Sequence, residues 1–206
     1  MKLSQELLNN LIEITSNSAI ACYPFIGKNE KILADKAATD VMRYQLNKLN
    51  IKGRVVIGEG ELDEAPMLYI GEELGSGIGP ELDIAVDPVE GTNFVAKNLP
   101  GSMSVLAVAE KGNLINAPET YMEKIATGNH IPKGSIDIDF SVKKNIKIYS
   151  EITKKKVSDI TVCILNRPRH KKIIDELQKL NVNIKFITDG DIYGALLVSN
   201  KKYNVD

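Results

Sequence analysis

The sequence predicts an α/β protein with two unequal parts. Short apolar segments typical of strands alternate with longer amphipathic segments typical of helices along most of the chain. The chain has 206 residues, of which 43% are hydrophobic, and this is enough to bury a substantial core in one to two domains. We therefore expect a larger mixed-sheet domain at residues 1–158 and the start of a second α/β domain at residues 159–206.

Two helices and several strands are predicted in the first part. The first helix covers residues 4–18, with an apolar face formed by Leu7, Leu8, Leu11 and Ile12. The second covers residues 34–49, and its first turn contains Asp35. Strands are predicted at residues 55–57, 82–86 and 105–109, and a further strand at 136–140, where Ile136, Ile138 and Phe140 alternate with polar residues, before a lysine-rich helix that ends near Ser158.

The second part is predicted to be a βαβα unit. Its strands are placed at residues 160–165 and 184–188, and its helices at residues 168–180 and 192–199. Parallel strands need cover on both faces and neighbours on their edges, which two strands do not supply by themselves. Residues 203–206 are typical of the start of a further strand, so we expect this domain to be incomplete.

Composition excludes several classes of protein. No segment is apolar over the roughly 18 to 20 residues that a membrane-spanning helix requires, and the N-terminus lacks the apolar core of a signal peptide. We therefore expect a cytoplasmic protein without a membrane partner. Cys22 and Cys163 have no partner motif, so the sequence indicates neither a disulfide framework nor a thiolate metal site.

Charge is distributed unevenly along the chain. Residues 1–140 carry 12 basic and 20 acidic side chains, whereas residues 141–206 carry 14 basic and 7 acidic ones. An acidic part that can hold cations and a basic part that can hold phosphate suit an anionic small molecule. Nucleic acid is the rival partner, but the lysines are not interleaved with aromatic residues, which make up only 5% of the chain. We therefore expect no nucleic-acid partner.

A hexapeptide at residues 87–92, Asp-Pro-Val-Glu-Gly-Thr, follows an apolar strand. Asp87 and Glu90 provide hard oxygen ligands of the kind that Mg²⁺ or Mn²⁺ prefers. The proline and glycine are typical of a tight turn, and Thr92 stands where a helix would begin. Its hydroxyl can cap that helix, and backbone N–H groups beside it can hold a phosphate. The alternative is a strand, a turn and an ordinary helix cap without a ligand.

Residues 54–66 repeat this combination of apolar strand, glycines and carboxylates. Gly58 and Gly60 free the backbone to bend around Glu59. Carboxylates gathered without basic neighbours repel one another, so a divalent cation is their simplest partner. A solvated acidic loop remains the alternative for Glu61, Asp63 and Glu64 taken singly.

These segments resemble the class II fructose-1,6-bisphosphatases, within the superfamily of metal-dependent, lithium-sensitive sugar and inositol phosphatases. The Asp-Pro-x-(Asp/Glu)-Gly-Thr core belongs to the whole superfamily, whereas residues 56–71 and 116–124 look like class II alone, and residues 164–170 and 189–191 continue the match. The resemblance implies the layered α/β fold of these sugar phosphatases. It also implies C-terminal truncation, because class II enzymes continue into a Gly-Gly-Ala-Pro-Glu-Gly segment with a metal-ligating glutamate.

The resemblance implies a metal centre that takes Mn²⁺ or Mg²⁺. Asp35 and Glu59 would bind one metal ion, and Asp87 and Glu90 would bind another. Thr92 would orient the water that attacks the phosphate. The implied catalytic set is Thr92, Glu59 and Asp63.

Substrate binding is implied for residues in both parts of the chain. Taken without the resemblance, Tyr121 is typical of a half-buried residue, and Asp189 and Asp191 are typical of helix caps. Arg167 replaces the lysine often found at its position in the family. The full implied set is Lys31, Glu90, Gly91, Thr92, Tyr121, Arg167, Arg169, Asp189 and Asp191.

The leading hypothesis is metal-dependent hydrolysis of the 1-phosphate of fructose 1,6-bisphosphate, which yields fructose 6-phosphate and phosphate in gluconeogenesis. Sedoheptulose 1,7-bisphosphate is a second expected substrate. One alternative is a truncated relic that binds metal or sugar phosphate without turnover. Another is an inositol-phosphate phosphatase, against which the segments around Glu59 and Tyr121 argue. Because an exposed sheet edge invites association, we expect a homo-oligomer.

Overall fold

The structure, a computed structural model, describes residues 3–58, 68–116 and 120–206. The chain divides into two compact units, Met1–Thr120 and Tyr121–Asp206. Both units combine helices with a sheet, which confirms the predicted α/β class.

The predicted domain limit at residue 158 lies inside the second unit. One apolar core contains Ile131 and Ile146 from before that limit and Ile160 and Leu177 from after it. The division into domains stays a prediction, while the structure groups the segment before residue 158 with the chain that follows it.

The first helix, α1, spans Gln5–Ala21 and confirms the predicted element. Its predicted apolar face was partly wrong, because Leu8 and Ile12 are exposed. The stripe that faces the core instead includes Leu11 and Ile14, which lie three residues apart and therefore on one side of the helix.

The second helix, α2, spans Lys31–Leu46 and so begins and ends earlier than predicted. Asp35 consequently lies beyond the first turn rather than within it. Ala34 and Ala38 have no exposed surface, and their small side chains allow other elements to approach this part of the helix closely.

A mixed four-stranded sheet forms the centre of the first unit. Its strand order is β2-β1-β3-β4, in which β1 and β3 are parallel and the two outer pairs are antiparallel. The apolar core beneath it includes Leu46, Val55 and Ile84. The strands are β1 Lys52–Ile57, β2 Glu73–Leu74, β3 Glu81–Glu90 and β4 Met103–Glu110, and the short helix α3, Thr92–Ala96, lies between β3 and β4.

The central strand β3 does not end where the sequence predicted a turn. It continues through Asp87 to Glu90, and its register with β4 shifts between these two residues. Pro88 explains the irregularity, because proline has no N–H group to donate to a sheet ladder. The chain turns only at Gly91, which has a φ of 79°.

The second unit has the predicted βαβα order. Its two strands pair in parallel, with Thr161 opposite Asn183 and Leu165 opposite Ile187. A single 3₁₀ turn precedes the helix after the first strand. The elements of this unit are α4 Val142–Thr153, β5 Thr161–Leu165, α5 Lys171–Lys179, β6 Asn183–Ile187 and α6 Asp191–Leu197.

The strand predicted at residues 136–140 is wrong. This segment consists of turns, in which the Asn145 side chain donates to Asp137 O at 2.7 Å and accepts from Asp137 N at 3.2 Å. The side-chain amide thus replaces the backbone partner that a strand would need. Ile136 still packs on the core, while Ile138 is 42% exposed.

Residues 201–203 form a 3₁₀ turn, Lys201–Tyr203, before Asp206 N donates to Thr161 O at 2.9 Å. The Asp206 carboxylate accepts hydrogen bonds from Tyr149 Oη at 2.8 Å, from Thr161 N at 2.9 Å and from Lys155 Nζ. Burial alone would raise the pKa of Asp206, but these hydrogen bonds outweigh burial and lower its pKa.

Because the pKa of Asp206 is lower in the folded chain than in the unfolded chain, its ionised form stabilises the fold above about pH 4. This stabilisation is lost as the pH falls through the folded pKa. We expect Asp206→Asn to lower the free energy of unfolding by about 1–2 kcal/mol at neutral pH and by much less near pH 3, as measured by urea denaturation. An equal loss at both pH values would contradict this assignment.

Cys22 is buried and Cys163 is half-buried, and both thiols are free. None of the helices in the described ranges is both long enough and apolar enough to cross a membrane.

Candidate active site

The hexapeptide lies where β3 leaves the sheet of the first unit. Asp87 Oδ1 accepts a hydrogen bond of 3.1 Å from Val89 N, which stabilises the irregular backbone around the proline. At the next register position, Glu90 pairs with Met103 of β4, and its carbonyl oxygen accepts a 3.1 Å hydrogen bond from Ser102 Oγ. Both carboxylates therefore project from a backbone that is anchored to the centre of the sheet.

Gly91 joins β3 to α3 in a left-handed conformation that favours glycine. A Cβ atom at this position would lie only 2.8 Å from Phe94 Cδ2, so the tight approach of the two residues also requires glycine. Gly91 occupies the N-cap position, and Thr92 is the first helical residue. The prediction that Thr92 caps the helix was therefore wrong, because the cap position falls one residue earlier.

Helix α2 packs directly against the hexapeptide. Ala34 and Ala38 share an apolar cluster with Val89 and Val95, from β3 and α3. The helical turn that carries Asp35 is thereby held against the end of β3. The structure thus brings together two segments that the sequence proposed as parts of one metal centre.

Asp35 is partly buried. Burial raises the pKa of the nearby Cys22 thiol, and the negative charge of the Asp35 carboxylate raises it further, to about 11. Lys31, by contrast, is exposed at the first position of α2, and its role in substrate binding stays a prediction.

An ion pair fixes the other end of α2. Arg43 Nε donates to Glu72 Oε1 at 2.6 Å, and Arg43 Nη2 donates to Glu72 Oε2 at 3.1 Å. The Glu72 side chain is 10% exposed, so this bidentate pair is largely shielded from water. It ties the helix that carries Asp35 to the segment that leads into β2.

The donor chemistry of Asp35, Asp87 and Glu90 fits Mg²⁺ or Mn²⁺, because all three provide carboxylate oxygens. Within residues 3–58, 68–116 and 120–206, however, no three acidic, histidine or cysteine side chains are grouped closely enough to hold a metal ion. Glu59 and Asp63, which the sequence placed in the catalytic set, lie outside the described residues. The metal ligands therefore stay predictions.

In the second unit, four predicted substrate residues lie after the carboxyl ends of the parallel strands, namely Arg167 and Arg169 after β5 and Asp189 and Asp191 after β6. Arg167 follows β5, and its Nη2 lies 3.6 Å from Asp189 Oδ1 after β6. Arg169 lies over the ring of Tyr121, with its Cζ atom 3.9 Å from the ring centroid. The carboxyl ends of parallel strands are the usual binding edge of α/β sheets. An open groove of about 570 Å³ borders Arg167 on the side of α5.

The roles expected of Tyr121, Asp189 and Asp191 without the family resemblance are not observed. Tyr121 is 79% exposed rather than half-buried. Gly190 holds the N-cap position of α6, so neither Asp189 nor Asp191 caps it. Asp191 instead pairs with Lys124, a residue that the sequence analysis did not single out. Its only signal was its place in the class-specific segment at residues 116–124.

Each of the two histidines contacts an oxygen atom within the second unit. His130 Nε2 lies 3.1 Å from Tyr149 Oη, and His170 Nδ1 lies 2.8 Å from Leu165 O.

Comparison with known proteins places the chain in a family. The profile of the bacterial fructose-1,6-bisphosphatase family, glpX-encoded, matches residues 5–206. The "D-fructose 1,6-bisphosphatase class 2/sedoheptulose 1,7-bisphosphatase" of Trichodesmium erythraeum is 45% identical over 90% of the chain and 57% of its own length. The protein of the same name from Parasynechococcus marenigrum is 46% identical over 94% of the chain and 58% of its own length.

The chain thus spans less than two thirds of these relatives. Among solved structures, an extragenic suppressor from Pyrococcus furiosus aligns with 52% of the chain and 41% of its own length, at a TM-score of 0.36 and 20% identity, which is too weak to bear on the fold. The family profile, in contrast, covers nearly every residue, and the chain belongs to the bacterial fructose-1,6-bisphosphatase family, glpX-encoded.

Proposed function

We propose that this chain hydrolyses the 1-phosphate of fructose 1,6-bisphosphate to give fructose 6-phosphate and phosphate, with sedoheptulose 1,7-bisphosphate as a second substrate. The observation that carries the proposal is the packing of α2 against the hexapeptide at the end of β3. It supports a shared role for Asp35, Asp87, Glu90 and Thr92. Family membership favours sugar bisphosphates over inositol phosphates.

The first unit would carry out the chemistry. The Thr92 hydroxyl would accept a hydrogen bond from the attacking water and orient it towards phosphorus. Its N–H group lies at the start of α3, where helical backbone N–H groups have no intrahelical acceptor, so it would donate to a phosphate oxygen. Because β3 anchors the chain just before Thr92, the hydroxyl and N–H groups of Thr92 would have few orientations. This reduces the entropy lost on reaching the transition state.

The metal ions expected for the family would be held by Asp35 and Glu59, and by Asp87 and Glu90. When bound, they would neutralise phosphate oxygens and favour ionisation of a water molecule. The identity of the metal is part of the proposal, with Mn²⁺ and Mg²⁺ both matching the carboxylate donors.

The second unit would bind the phosphorylated sugar. The guanidinium groups of Arg167 and Arg169 suit bidentate hydrogen bonds to a phosphate. Asp189 and Asp191 would accept hydrogen bonds from sugar hydroxyl groups. The cytoplasmic location and the homo-oligomer stay predictions.

A phosphate-release assay tests the proposal. The purified chain is incubated with fructose 1,6-bisphosphate, sedoheptulose 1,7-bisphosphate or inositol 1-phosphate, each with Mn²⁺, with Mg²⁺ or with excess chelator. We expect release from the sugar bisphosphates that stops with chelator and returns when metal is added. A folded chain that binds metal and sugar phosphate but releases no phosphate would support the relic alternative and overturn the proposal.

A further inference from the structure

A short segment of the second unit bridges the two loops that follow its strands. This bridging segment, residues 121–124, has neither helical nor strand structure. At one end, the ring of Tyr121 lies beneath the guanidinium of Arg169, which follows β5. At the other end, Lys124 Nζ pairs with Asp191 Oδ2, which follows β6.

Apolar packing does not explain why the bridging segment lies there. Tyr121 is 79% exposed and Met122 is 60% exposed, so neither side chain is held in a core. The contacts with Arg169 and Asp191 are what join this segment to the two loops. Since the Lys124 and Asp191 side chains are 58% and 39% exposed, their ion pair contributes little to folding stability.

Lys124 also changes the charge of this loop cluster. Without it, the cations Arg167 and Arg169 are balanced by the anions Asp189 and Asp191. Lys124 places a positive charge directly beside Asp191, which favours a phosphorylated ligand on this side of the cluster. The pair with Lys124 further weakens the repulsion between Asp191 and a nearby phosphate.

We propose that Lys124 is a positioning residue for sugar-phosphate binding, a role that rests on the proposed function. By holding Asp191, it fixes the bridging segment so that the ring of Tyr121 covers one face of the Arg169 guanidinium. The planar N–H edges of Arg169 then remain available to a phosphate group. Lys124 acts through Arg169 and Asp191 rather than by contact with the reacting atoms.

Binding and kinetics of Lys124→Met test this role in the full chain. We expect the dissociation constant of fructose 1,6-bisphosphate, measured by calorimetry without metal, to rise about fivefold. KM, measured with Mn²⁺, should also rise about fivefold. This is the effect of losing one exposed charge pair. The value of kcat should change less than twofold, because the lost interaction is the same in the ground and transition states. Lys124→Arg should restore the wild-type values of the dissociation constant and of KM.

A measurement without ligand separates positioning from a general effect of charge. The ring of Tyr121 should shift the Arg169 Nε–Hε NMR signal upfield, and this shift should disappear in Lys124→Met and in Tyr121→Leu. Lys147→Met is the matched control, because Lys147 is also an exposed lysine of the second unit, paired with Glu151 at 3.7 Å. It should change neither the signal nor the dissociation constant.

Retention of the Arg169 shift in Lys124→Met would overturn the proposal, as would an unchanged dissociation constant. A wild-type chain that binds no sugar phosphate would overturn it too. A wild-type chain that binds fructose 1,6-bisphosphate but releases no phosphate would contradict only the proposed function, and the NMR and binding results would still decide the role of Lys124.

Discussion

Thr92→Ala is expected to lower kcat for metal-dependent phosphate release by about 10²–10³-fold, the usual cost of removing one positioned hydrogen-bonding group from an active site. Thr92 is the first residue of α3 and directly follows the turn at Gly91, so its side chain starts from a helical backbone. KM should change little, because water orientation matters mainly in the transition state. Steady-state kinetics with fructose 1,6-bisphosphate measures both constants.

Two further variants separate loss of the hydroxyl from loss of structure. Thr92→Ser keeps the hydroxyl and should retain most of the activity. Thr15→Ala removes a hydroxyl that hydrogen-bonds Ile12 O within α1, and it should leave kcat unchanged. If Thr92→Ala retained wild-type kcat with its thermal unfolding also unchanged, Thr92 would have no catalytic role.

Arg43→Met is expected to lower the free energy of unfolding by about 2–3 kcal/mol. The substitution leaves the Glu72 carboxylate largely buried without the guanidinium that now donates two hydrogen bonds to it. This loss of unfolding free energy is smaller than that expected for a fully buried ion pair, because the Arg43 side chain is 26% exposed. Urea denaturation monitored by circular dichroism measures the change.

The double variant Arg43→Met with Glu72→Gln provides the control. Removal of the charge from residue 72 should recover part of the lost stability, because the main cost of Arg43→Met is an uncompensated charge. Additive effects of the two substitutions would show that the pair contributes no coupling. Since α2 also carries Asp35, Arg43→Met should weaken Mn²⁺ binding as well, whereas the double variant should weaken it less.

Elements with strong local signals were predicted well. The α/β class, α1, the strands β1, β3 and β4 of the mixed sheet and the βαβα order of the second unit follow from hydrophobic periodicity and turn residues, whereas the two-residue strand β2 was not predicted. One wrong prediction has a clear physical cause. The strand at residues 136–140 had the correct alternation, but the Asn145 amide takes the place of a neighbouring strand. Alternation indicates a strand only when a partner is available.

The sequence by itself determined the family and the chemical character of the site, because the hexapeptide and the class-specific segments are contiguous and carry their carboxylates and hydroxyl in their own residues. Only the tertiary structure decided how these pieces meet. The packing of Ala34 and Ala38 on β3, the shift of the helix cap to Gly91 and the pairing of Lys124 with Asp191 all join residues through space. Such contacts depend on the close approach of separate elements, which a linear pattern does not record.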